Sequence, residues 1–238
     1  MAGTSSNQPE VHLPLPFISL FAHEVRNPLN AVAAIGALLE RNPKGDMLPW
    51  LGSSLIRQVD ELAFLVDMFL DGARLTTGNL NISAERVVVS AVIDELLEDW
   101  QQVFEKGKFS VEKMYEADDL AISADRARLR RSLYALIQMR IKSLSSGGMF
   151  RFSIRSAGED VALTLEDTGD RLPEAEVKAI ESATSMDLFS DAERGLRRLA
   201  LMLIKAYVEQ VGGTFSLRQS GEDNQRGIAF TLTFRACH

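Results

Sequence analysis

Residues 17–42, FISLFAHEVRNPLNAVAAIGALLERN, decide how the chain is read. Phe21, Val25, Leu29, Val32, Ile35 and Leu39 recur at intervals of three or four, which is one apolar stripe of an amphipathic helix. At 1.5 Å per residue such a helix is about 39 Å long. Pro14 and Pro16 lie at its start, where a missing N–H does no harm, and Asn42-Pro43-Lys44-Gly45-Asp46 reads as the turn that stops it. Beyond that turn Leu51, Leu55, Val59, Leu62, Val66, Phe69 and Ala73 continue the same spacing as far as Thr76-Thr77-Gly78, where glycine is a natural helix stop. Residues 15–79 therefore read as a helical hairpin. A lone hairpin leaves much of its stripe in water, and pairing with a second copy as a four-helix bundle buries it. The expected state is a homodimer.

Within the first helix, Phe21-Ala22-His23-Glu24-Val25-Arg26-Asn27-Pro28-Leu29 carries the chemistry. His23 lies two positions from both Phe21 and Val25, about 200° round the helix from each, so it projects off the buried stripe toward solvent. Glu24 adjoins it, and Asn27 follows one turn along the same face. An imidazole, a carboxylate and a carboxamide are held on one rigid rod.

After Gly78 the rhythm changes. Strand-like runs at 80–89 and 108–115 flank a helix at 90–105, and a long helix follows from about Asp125 to Leu144. Two strands, 149–156 and 160–167, turn around Gly158-Glu159-Asp160. A short helix after Pro173, an irregular stretch at 183–194, a helix at 195–210 and strands at 213–219 and 227–235 complete the chain. Mixed strands with three helices predict an α+β protein whose residues 80–238 form a two-layer α/β sandwich. Residues 1–14, polar and proline-containing, read as a flexible N-terminus.

Composition narrows the function classes. With 26 Lys+Arg against 33 Asp+Glu the net charge is −7, which argues against a general nucleic-acid binder. At 46% apolar residues the chain can bury a core, so disorder is excluded for most of it. The single cysteine, Cys237, permits neither an internal disulfide nor a cysteine metal site and fits a reducing compartment. No run of about 20 apolar residues offers a membrane span, and the first 16 residues contain no signal-peptide core. The expected location is the cytoplasm.

The segment around His23 resembles the H-box of the two-component sensor histidine kinases. The resemblance continues through Phe69-Leu70-Asp71-Gly72-Ala73-Arg74-Leu75 at the second-helix exit and into the family's Bergerat-type ATP-binding sandwich. It implies that His23 accepts a phosphoryl group and that Glu24 holds the other ring nitrogen, raising nucleophilicity and fixing the tautomer. It also implies that Asn27 orients a water against the aspartyl phosphate of a response regulator, a task a neutral amide can perform.

In the sandwich the family pattern is broken. Asp125, Arg128, Leu129, Leu133 and Lys142 fit the frame around the family's N-L-x-x-N-A-x-K motif, but its asparagines fall on Ala135 and Met139, which offer no oxygen to Mg²⁺. Glu166-Asp167-Thr168-Gly169-Asp170-Arg171 keeps Asp167 and Gly169, which the resemblance places against adenine, while Arg171 replaces a second glycine. Of the phosphate-loop glycines Gly195 remains, and two others fall on Arg198 and Ala200. Asp167, Gly169 and Gly195 are thus the candidate remnants of a degenerate nucleotide site. No cofactor and no metal are expected.

The leading expectation is a phosphorelay component that carries or removes phosphoryl groups through His23 in exchange with receiver-domain aspartates, without ATP-driven autophosphorylation. An active, divergent histidine kinase using ATP and Mg²⁺ stays open beside it. So does a non-catalytic pseudokinase that regulates a partner histidine kinase or response regulator through its dimer surface.

Overall fold

The computed structural model describes residues 15–41, 44–45, 47–76, 81–141, 143–144, 147–183, 196–220 and 227–237. The expected flexible N-terminus 1–14 and the irregular stretch at 184–194 lie outside them, as does Gly195. Two compact units emerge, the first containing two helices and residues Leu196–Leu199, the second the sheet and its helices.

The first unit is built from α1 (Leu15–Leu39) and α2 (Met47–Thr76). The chain leaves α1 by tightening: the Glu40 N–H still reaches Gly36, but the Arg41 N–H bonds Leu38, three residues back. Pro28 sits inside α1 and has no N–H to give the carbonyl of Glu24, one turn earlier. Across the hairpin, Phe21 stacks on Phe69 with ring centroids 4.2 Å apart. Ile35, Leu51, Leu65 and Met68 are buried, but Leu29, Ile56, Val59, Val66 and Leu70 stay exposed. Four of the thirteen expected stripe positions, Leu29, Leu39, Val59 and Val66, are exposed in a single chain, and Ile56 and Leu70 widen the uncovered apolar face. Phe69→Ala is expected to lower the stability of this half-buried pairing by about 2 kcal/mol, with Phe69→Leu recovering most of it in urea melts followed by helical circular dichroism.

In the second unit β1 (Glu85–Val88) leads directly into α3 (Val89–Gly107), whose Val89, Val92, Ile93, Leu96, Trp100 and Phe104 are buried at helical spacing. Next come β2 (Ser110–Tyr115), β3 (Ala121–Ala124) and α4 (Arg126–Ile141). Asp125 caps α4, its Oδ1 accepting the Arg128 N–H at 3.0 Å. A hairpin of β4 (Met149–Ala157) and β5 (Asp160–Asp167) is followed by α5 (Glu174–Ser182), α6 (Leu196–Gln210), β6 (Thr214–Gln219) and β7 (Ile228–Arg235).

The main sheet has the order β2-β4-β5-β7-β6, with β2 parallel to β4 and the other pairs antiparallel. β1 and β3 form a separate antiparallel ribbon. β3 is absent from the sequence reading. It is four residues long, lies in an alanine- and aspartate-rich stretch, and exists because Val87 pairs with Ile122. Along β5 the buried positions alternate strictly as Val161, Leu163, Leu165 and Asp167. Tyr207 of α6 fastens the start of α4 by donating to the Asp125 carbonyl and accepting from its N–H, and burial pushes its phenol above the ordinary tyrosine range. Lys205 of α6 donates to the carbonyls of Ile180, Glu181 and Ala183, closing the end of α5.

Candidate functional site

His23, Glu24 and Asn27 all lie on α1. The His23 side chain is 68% exposed, and its Nδ1 lies 3.3 Å from Glu24 Oε1. A carboxylate at Nδ1 favours the tautomer with the proton there, which leaves the nucleophilic lone pair on Nε2. Asn27 is exposed four residues on, and Pro28 behind it is buried. The helix thus presents an oriented imidazole and an amide to water from a stiff support.

Asp167 and Gly169 belong to the second unit, and their surroundings differ from the expectation. Asp167 ends β5 on its buried phase, with its side chain wholly buried. Arg140, from the last turn of α4, meets it as a two-pronged ion pair: Nε donates to Oδ2 at 2.7 Å and Nη2 to Oδ1 at 2.9 Å. The Arg140 side chain is only 2% exposed, and its Nη2 also donates to the Asp170 carbonyl at 2.6 Å. The Gly169 N–H adds a third bond to Asp167, to Oδ1 at 2.7 Å. Gly169 is required by crowding, since a Cβ there would stand 2.9 Å from Asp167 Oδ1 and from the Ser143 carbonyl, and 3.0 Å from Arg140 Nη2.

Arg140 is the residue that the sequence reading missed. Two signals marked it. Leu129, Leu133, Leu136 and Ile137 define the buried stripe of α4, and Arg140 falls on its continuation; the alternation of β5 likewise puts a carboxylate on the core face. Two charges on facing apolar surfaces call for each other, because a buried charge without a partner is expensive.

Residues 124–237 match the histidine kinase-, DNA gyrase B-, and HSP90-like ATPase family. The sensor protein DivL of Caulobacter vibrioides is 28% identical over 226 residues, covering 93% of this chain and 27% of DivL. Over most of its length the chain is similar to sensor kinases of the two-component family. It spans about a quarter of the length of that curated relative. Among solved structures, full-length ShkA in complex with AMPPNP has a TM-score of 0.60 at 21% identity, covering 95% of this chain and 47% of that one. Histidine kinase ThkA in complex with the response regulator protein TrrA has a TM-score of 0.58 at 17% identity, covering 92% and 61%.

These findings correct the expectation that no cofactor belongs to the chain. The match of residues 124–237 to an ATPase family points to a nucleotide-binding domain. Replaced pocket residues say little about the fold, which is set by the apolar faces of α4 and the sheet, and those faces are intact. The described residues nevertheless do not fit ATP and Mg²⁺ in the manner the family implies. Ala135 and Met139 bring no hard-cation ligand to α4. Among the described residues no three His, Cys, Asp or Glu side chains are arranged so that they could hold a metal ion. Both oxygens of Asp167 are already held by Arg140. Of the altered phosphate-loop positions, Arg198 and Ala200 are both buried in α6. No described helix is long and apolar enough to cross a membrane.

Proposed function

We propose that the protein exchanges phosphoryl groups between His23 and the phosphorylated aspartate of a response-regulator receiver domain. The observation that carries the reading is the exposed His23 ring with Glu24 at Nδ1. Nε2 attacks the phosphorus in line; the N–P bond forms as the P–O bond to the aspartyl carboxylate breaks, and the carboxylate leaves. The reverse step returns the group to a receiver. Glu24 takes up the positive charge that develops on the ring, which is electrostatic support at the point where charge appears. When Asn27 holds a water against the aspartyl phosphate instead, the products are the free carboxylate and inorganic phosphate.

The uncovered apolar positions Leu29, Ile56, Val59, Val66 and Leu70 support a homodimeric four-helix bundle as the form that presents His23. The complex of ThkA with TrrA supports a receiver domain as the partner, and a cytoplasmic location goes with that reading. A second reading, autophosphorylation of His23 from ATP, is favoured by the ATPase-family match and by the AMPPNP-bound relative in fold.

The test uses receiver domains charged with radiolabelled acetyl phosphate. Label is expected to pass to the wild-type chain, and a chain that neither gains label nor speeds its loss from any receiver contradicts the reading. Asn27→Ala is expected to retain labelling of the chain while slowing release of inorganic phosphate by about tenfold or more. Incubation with ATP labelled at the γ-phosphate reports on the second reading in the same assay.

A further inference from the structure

We infer that Arg140 sets base recognition in this sandwich by taking, from inside the protein, the carboxylate that its family offers to adenine. In the family frame N-L-x-x-N-A-x-K, with Leu136 and Lys142 in register, Arg140 stands at the alanine. An alanine there leaves the carboxylate of Asp167 open. Arginine fills that space with a planar fork that matches both oxygens.

The occupancy is nearly complete. A carboxylate accepts about four hydrogen bonds, and Asp167 already takes two charge-assisted bonds from Arg140 and one from the Gly169 N–H. The third donor contact of Arg140, to the Asp170 carbonyl, anchors the guanidinium to the loop after β5. Gly169 packs against both partners so closely that a methyl group would collide with either. An adenine amino group brings one neutral N–H to one oxygen. The one acceptor position left, on Oδ2, is buried with the rest of the side chain, so to reach it the amine must displace a bidentate ion pair whose partners are almost fully buried. The sandwich therefore binds nucleotide without reading the 6-amino group, so base identity counts for little at this pocket.

The comparison that tests this uses the intact wild-type chain and two probes, ATP and purine riboside triphosphate, which lacks only the 6-amino group. Binding is measured by equilibrium dialysis with and without Mg²⁺. The expected result is binding of both probes with affinities within about fivefold of each other, and no measurable binding of either overturns the inference. A site built to hydrogen-bond the amine rejects the analogue by much more, so a preference for ATP beyond fivefold overturns the inference. Arg140→Ala restores the family residue and is expected to create the missing preference, about tenfold or more for ATP, which the double variant with Asp167→Asn should lose. Circular dichroism establishes that the variants fold. Should Arg140→Ala fail to fold, the wild-type comparison decides alone.

Discussion

Replacing His23 with alanine is expected to reduce phosphoryl exchange with receiver domains by at least about a thousandfold, because the nucleophile itself is removed and no neighbour can replace it. Glu24 is a carboxylate of low nucleophilicity, and Asn27 has no basic nitrogen. The fold should be untouched, since the His23 side chain is 68% exposed and, among the described residues, its ring meets only the adjoining Glu24. Glu24→Gln keeps the size and a carbonyl acceptor but loses the charge, so it should fall between, slowed by about 10- to 100-fold with binding of the receiver unchanged. Initial rates of label transfer under single-turnover conditions separate the three proteins. A His23→Ala chain with full activity in its signalling assay would instead mark a regulatory scaffold.

The second large effect concerns stability. Arg140→Met leaves Asp167 as a buried carboxylate with one remaining donor, the Gly169 N–H, and removes the bond to the Asp170 carbonyl. Breaking such a pair from one side costs about 3–5 kcal/mol. In a domain of this size that is a fall in melting temperature of about 10 °C or more. Removing both charges, as in Arg140→Met with Asp167→Leu, should recover much of the loss, because the desolvation of both groups is then avoided. The coupling between the two sites, read from the four melting curves, should exceed 1 kcal/mol. A loss below 1 kcal/mol in Arg140→Met would mean that the ion pair is dispensable, and the inference on base recognition would lose its footing.

These outcomes bear on how far the sequence could be read. The hairpin was legible because its stripes repeat over many turns and proline and glycine punctuate the break; α1 and α2 stand within a few residues of the expected ranges. The strands β4, β5, β6 and β7 were legible from alternation and from Gly158 and Gly213 beside their turns. β3 was not, because a four-residue strand with one β-branched residue, Ile122, carries almost no local signal and depends on pairing with β1. The exposure of His23 on α1 followed from helical geometry alone. The surroundings of Asp167 did not, because its partner lies 27 residues away on another element. The expectation of no cofactor failed for a different reason. It weighed individual pocket residues such as Ala135 and Met139, whereas the domain's kinship is written in its core and topology.

The central claim, that His23 carries the phosphoryl group, is tested most directly by phosphorus NMR of the wild-type chain after mixing with a phosphorylated receiver domain. The account predicts a phosphoramidate signal that is lost in acid, stable in base and absent from His23→Ala. Decay of the aspartyl phosphate with no such signal, at any mixing time and with the same rate in His23→Ala, would contradict it.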